Sequence, residues 1–65
     1  MIRLTRLNKT SFVLNSDLIE CLESTPDTVI TLTNGKKYVV CESVDEVVEK
    51  VMKFKAGILK FANEN

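Results

Sequence analysis

"TPDTVITLTNGKKYVV", residues Thr25 to Val40, is the stretch whose reading decides the fold. Asn34-Gly35 is the strongest short hairpin signal, because both residues tolerate the positive φ that tight turns demand. The flanking pieces "TVITL" and "KKYVV" are rich in β-branched and aromatic residues, which fit a pleated surface. A two-residue turn at Asn34-Gly35 sets Ile30 opposite Val39, Val29 opposite Val40 and Thr31 opposite Tyr38. Both faces of the pair are then partly apolar, which predicts a central hairpin covered by a helix on one side and by more sheet or a partner on the other. Pro26 and Asp27 suit the first two central positions of a tight turn ahead of it.

Upstream, "MIRLTRLN" alternates Ile2, Leu4 and Arg6 against Arg3, Thr5 and Leu7, the pattern of a strand with one buried and one wet face. "NKT" supplies turn residues, and "SFVLN", with Phe12 and Leu14 on one side, returns as the second strand of a hairpin. Asn15, Ser16 and Asp17 then stop the pattern. "DLIECLES" reads as a third strand after one helical turn at Ser16 to Ile19, with Leu18 and Leu22 facing one way and Ile19 and Cys21 the other. The fold class is therefore α+β: a small antiparallel sheet of about five strands, two hairpins plus a linking strand, with one C-terminal amphipathic helix.

That helix begins at "ESVDEVVEKV". Ser43 is the N-cap and Glu46 completes a capping box, while Asp45 and Glu46 sit at the positive end of the helix dipole. Val44, Val47, Val48 and Val51 form the stripe expected on the sheet. Beyond Val51 the pattern changes, because Lys55 falls near the centre of the stripe, where a buried ammonium is costly. A helix from Val44 to Ala62 is about 28 Å long, whereas strands of five or six residues span roughly 17–20 Å. About two turns overhang, so Met52, Phe54, Ile58, Leu59 and Phe61 are expected to form an exposed apolar contact surface ringed by Lys50, Lys53, Lys55 and Lys60. Gly57 leaves a second route open, a break that folds the tail back over the sheet. A third is a basic amphipathic helix lying peripherally on an anionic membrane surface. The division is residues 1–52 as sheet and helix start, and residues 53–65 as the extension that makes contact.

Composition narrows the function classes. The chain has 65 residues, and a domain of that size buries only about 60% of its unfolded surface, so it needs a staple such as a disulfide, a metal or a partner. Its two cysteines, Cys21 and Cys41, lie in apolar runs with no leader ahead of them, and are expected reduced, cytosolic and buried as small hydrophobes. With no histidine and no CxxC spacing, neither metal nor other cofactor is expected. The remaining staple is association with another chain, a homo-oligomer among the options. Without an imidazole base the hydroxyls and thiols lack an activator, so no catalysis and no small-molecule substrate are expected. The acids, Glu20, Glu23, Asp27, Glu42, Asp45, Glu46 and Glu49, read as solvated surface. Nine basic and nine acidic residues give zero net charge, against the strong positive field of a nucleic-acid binder. No apolar run approaches the roughly 20 residues that span a bilayer.

Taken together, "MIRLTRLN", "FVLN", "DLIE", "TPDTVITLTNGKKYVV" and "ESVDEVVEKV" resemble the FlbD family of small flagellar proteins, also called SwrD-like, over about residues 1–52. Two departures are Lys9, where the family commonly has Gly, and Cys41, often basic or polar in relatives. The resemblance implies a cytoplasmic accessory protein, at the flagellar base, that promotes motility and swarming and supports motor power through contact with a motor, stator or export component. It implies no catalytic residue. The alternative is a small nucleic-acid-binding regulator: the rhythm from "DLIECLES" onward is similar to LytTR domains, with Arg3, Arg6, Lys9, Lys36 and Lys37 as the basic cluster. One tyrosine, no tryptophan and eight acids between residues 15 and 49 weigh against that reading.

Overall fold

The computed structural model of the chain describes residues 1–63, and side chains as far as Gly57. Five strands precede one helix in the order β1 (Ile2–Thr5), β2 (Ser11–Leu14), β3 (Ile19–Ser24), β4 (Thr28–Leu32), β5 (Lys37–Val40) and α1 (Val44–Asn63). This is the expected α+β class, with the strands divided between two antiparallel sheets: β1 pairs with β2, and β3-β4-β5 form the second. A single bridge from Arg6 to Val40 joins them. Beside it the Cys41 N–H donates to the Thr5 carbonyl at 2.8 Å.

Loop chemistry sets the register of each pair. Asn34-Gly35 does not form the expected two-residue turn. Leu32 N–H donates to the Lys36 carbonyl (2.8 Å), Gly35 N–H to the Leu32 carbonyl (2.9 Å) and Lys36 N–H to Asn34 Oδ1 (3.0 Å), which makes Thr33–Gly35 a three-residue loop. Gly35 holds φ +87°, the left-handed residue that such loops place last. The register shifts by one residue, pairing Ile30 with Tyr38 and Val29 with Val39. A one-residue slip exchanges faces. Thr28, Ile30, Leu32 and Val40 are consequently all buried on the inner face, while Val39 is left exposed outside.

The first hairpin repeats the device. Arg6 N–H donates to Thr10 O (2.8 Å), Lys9 N–H to Arg6 O (2.9 Å) and Thr10 N–H to Asn8 Oδ1 (3.1 Å). Lys9 takes the position of Gly35, with φ +73°. Between β3 and β4 the Thr25 N–H donates to the Asp27 carbonyl at 3.1 Å, and the Thr25–Pro26 peptide is cis.

Residues 15–24 resolve as one 3-10 turn, Ser16–Leu18, capped by Asn15 Oδ1 accepting from Asp17 N–H, followed directly by β3. A register shift between Ile19 and Cys21 turns Glu20 into a bulge. It reverses the expected facing: Ile19 and Leu22 both pack on the core, whereas Leu18 and Cys21 are exposed.

The core holds Ile2, Leu4 and Leu14 from the first sheet, Ile30, Leu32 and Val40 from the second, and Val47 from the helix. Helix α1 lies against β1 and β3 and so covers the inner faces of both sheets. Its capping box forms as expected, with Ser43 N–H donating to Glu46 Oε1 and Glu46 N–H to Ser43 Oγ, both at 3.1 Å. The helix runs through Gly57 without a break, so the fold-back route is not taken. Twenty residues make it about 30 Å long. Strands of four to six residues are much shorter, and the molecule stretches to 42 Å along its longest axis against 24 and 18 Å across.

Candidate functional site

The helix stripe is centred on Val47, which is completely buried, and not on Val44 and Lys55. Counting about 100° per residue, Phe54 falls within roughly 20° of Val47, Lys55 about 80° away and Met52 about 140° away. Phe54 therefore packs partly buried against its own core, beside Val51, and does not belong to an exposed patch as expected. Lys55 is exposed, so no ammonium is buried on the sheet. Met52 is 66% exposed. The side chains of Ile58, Leu59 and Phe61 lie outside the described residues.

Val48, expected on the sheet, is 42% exposed and adjoins Met52 one turn on. With Ile19, Leu22 and Val51 these two line a groove of about 280 Å³ between α1 and β3, with Ser16 and Lys55 also on its walls. Ser16 is 8% exposed, and among the described residues its Oγ has no hydrogen-bond partner. A buried hydroxyl in that state costs about 1–3 kcal/mol. The sequence held a signal for this groove: taking Val47 as the centre leaves Val48 and Met52 on the flank of the stripe, apolar and uncovered.

A second groove of about 450 Å³ lies among the first hairpin loop, the Pro26 turn and the start of the helix, and includes Lys9, Asp27, Cys41 and Glu46. Cys41 is exposed, not buried as expected, and so is Cys21. The Cys41 thiol donates to the Arg6 carbonyl (3.3 Å) and Lys9 Nζ lies 3.8 Å from its sulfur. Polar neighbours at a strand end explain the exposure: Cys41 follows the last residue of β5, where the inner face has run out. Among the described residues no group of three or more Cys, Asp or Glu is placed to hold a metal ion.

The basic residues are divided. Arg6 lies with its guanidinium carbon 4.2 Å from the Phe12 ring centroid, and Phe12 in turn meets Tyr38 with centroids 5.3 Å apart. Arg6 bridges to Val40 at one end of β5, while Lys37 starts the strand at the other end, roughly 10 Å away at 3.3 Å per residue. Between the sheets, Thr5 donates its N–H (3.0 Å) and its hydroxyl (2.9 Å) to the Glu42 carboxylate. Burial pushes the Glu42 carboxyl up, but these hydrogen bonds, one from its own amide and the charge of Lys50 outweigh it and hold the group below its ordinary value. Glu49, paired with Lys53 at 2.9 Å, is likewise lowered by that hydrogen bond and charge.

No helix is long and apolar enough to cross a membrane among the described residues. Neither curated proteins nor solved structures give a match to the chain. A family model described as FlbD, flagellar and swarming motility proteins, matches residues 1–59, which takes in both hairpins, the groove and the described length of the helix side chains. With nearly the whole 65-residue chain inside that match, the protein belongs to the FlbD family of flagellar and swarming motility proteins.

Proposed function

We propose that this FlbD-family chain serves motility as a non-catalytic interaction module, working in the cytoplasm at the flagellar base. It contacts a motor, stator or export component, alone or as a homo-oligomer, and so supports motor power. The observation that carries the reading is the uncovered apolar strip Val48–Met52 on a helix that Val47 and Phe54 already anchor to the core. Anchoring and contact thus use different sides of α1. Apolar strips of this kind on small domains usually mark contact surfaces, and a thin core gains from being covered.

The test is Met52→Asp in motile cells whose own copy has been replaced. The expected result is loss of swarming with the purified variant folded and its melting temperature within a few degrees of the parent. Normal swarming by cells carrying the folded variant would refute the assignment of this strip.

A further inference from the structure

Helix α1 carries more apolar surface than its sheets cover, and the surplus lies on one particular side. Val48 and Met52 sit past the flank of β3, across a groove from Ile19 and Leu22. β3 is the outermost strand of its sheet: β4 pairs with one side of it. Among the described residues no backbone group of Ile19–Ser24 is bonded on the other side. An open strand edge beside a helix, with an apolar groove between them, is the geometry in which a further strand adds to a sheet. Main-chain hydrogen bonds then give the attachment, and alternate side chains fill the groove.

Resting on the interaction reading above, we propose that this groove takes an extended segment of a partner protein as a sixth strand on β3, with apolar residues at alternate positions and lysine or arginine between them. The spacing fits. Val48 and Met52 lie about 6 Å apart along the helix, and alternate side chains of a strand lie roughly 6.7 Å apart on one face, so two successive inward residues meet the two uncovered helix residues. Charge selects the rest. Exposed Glu20 and Glu23 run along β3, with exposed Asp17 just before it, so outward-facing residues of an added strand sit beside carboxylates and favour a basic side chain. Lys55 on the helix wall disfavours a cation at the inward positions. A second copy of β3 would bring Glu20 and Glu23 to the same seam again, like charge near like. The Ser16 hydroxyl, buried and without a partner among the described residues, lies on the wall of the groove three residues before β3 begins.

The probe is a capped hexapeptide of alternating lysine and valine, titrated into the intact chain while amide exchange is followed by NMR. Saturable binding with slowed exchange at Ile19–Ser24, weakened roughly tenfold by Met52→Asp and also by Glu23→Lys, supports the proposal. A copy of the peptide N-methylated throughout keeps the side chains but cannot donate. Equal binding of that copy overturns the proposal, as does absence of binding at millimolar peptide, preference for an amphipathic helical peptide, or self-association that protects β3. If Met52→Asp abolishes swarming while the lysine-valine peptide does not bind, the interaction module stands and only the added strand falls. If neither effect appears, both readings fall.

Discussion

Replacing Lys9 with glycine should stabilise the protein. The two hairpin loops, Leu7–Lys9 and Thr33–Gly35, share the two main-chain hydrogen bonds that close them and the asparagine that accepts from the residue two positions on. They differ at the residue with positive φ, a lysine at +73° in one and a glycine at +87° in the other. A left-handed conformation costs a residue with a Cβ about 1–2 kcal/mol, while glycine gives back about 0.5–1 kcal/mol through its larger unfolded-state entropy. The difference leaves Lys9→Gly stabilising by about 0.7 kcal/mol. The exposed contact of Lys9 with the Cys41 sulfur, at 3.8 Å, subtracts little from it. At about 2.1 cal/mol/K per residue, a 65-residue chain changes stability by roughly 0.14 kcal/mol per degree near its midpoint, so the melting temperature rises by about 5 °C. Gly35→Ala should move it down by a similar amount through the backbone alone, since nothing lies within 4 Å of the added Cβ. Lys9→Ala, which removes the long side chain and keeps the Cβ, should change little. Thermal unfolding followed by circular dichroism, with urea titration to check that the m-value is constant, measures all three. If Lys9→Gly is no more stable than Lys9→Ala, the first loop does not hold the conformation described.

Phe54→Asp should cost about 3 kcal/mol or more, enough to unfold much of so small a domain, because it sets a charge against the core; Met52→Asp should stay within about 0.5 kcal/mol, and urea midpoints separate the two. Since the folded Glu42 carboxyl titrates below its unfolded value, its bonds to Thr5 stabilise the protein above about pH 4.3 and are lost as the pH falls through the lower folded value. Glu42→Gln should cost about 1 kcal/mol at neutral pH and flatten the fall in urea midpoint as the pH drops below about 4.3, and an unchanged slope would exclude that carboxylate as the acid-sensitive link. Ser16→Ala, removing a buried hydroxyl without a partner, should leave stability equal or raise it by up to about 1 kcal/mol; a loss beyond that in thermal melts would mean the hydroxyl is satisfied.

Local signals were legible where one residue type has one physical use. The Ser43–Glu46 capping box and the hairpin at Asn34-Gly35 follow from residues with a settled local use, and each forms. What failed were choices between near-equal alternatives. Asn-Gly serves a two-residue turn or the end of a three-residue loop, and only the burial of Ile30 with Leu32 and Val40 decides for the second. The bulge at Glu20 leaves no local mark in a strand of mixed residues, and it alone brings Ile19 and Leu22 to one side. Centring the helix on Val44 sets it about 60° from the buried Val47, which moves Phe54 out of the core and hides Val48 from the contact surface. The cysteines misled because their apolar neighbours, Val40 and Leu22, point inward while they do not.

Every strand here pairs with its neighbour in the chain, across loops of three residues, except at the seam where Thr5 and Arg6 meet Val40, Cys41 and Glu42. During synthesis the β1–β2 pair and the β3–β4 pair can close as soon as they emerge, each on the microsecond scale of short loops, yet neither has anything to lay its greasy side upon. The seam and Val47 lie within a few residues of one another, so the segment around residues 40–47 supplies both the join between the sheets and the helix residue that covers them. A ribosome paused before that segment would hold β1–β2 and β3–β4 paired but unjoined, with β5 still incomplete.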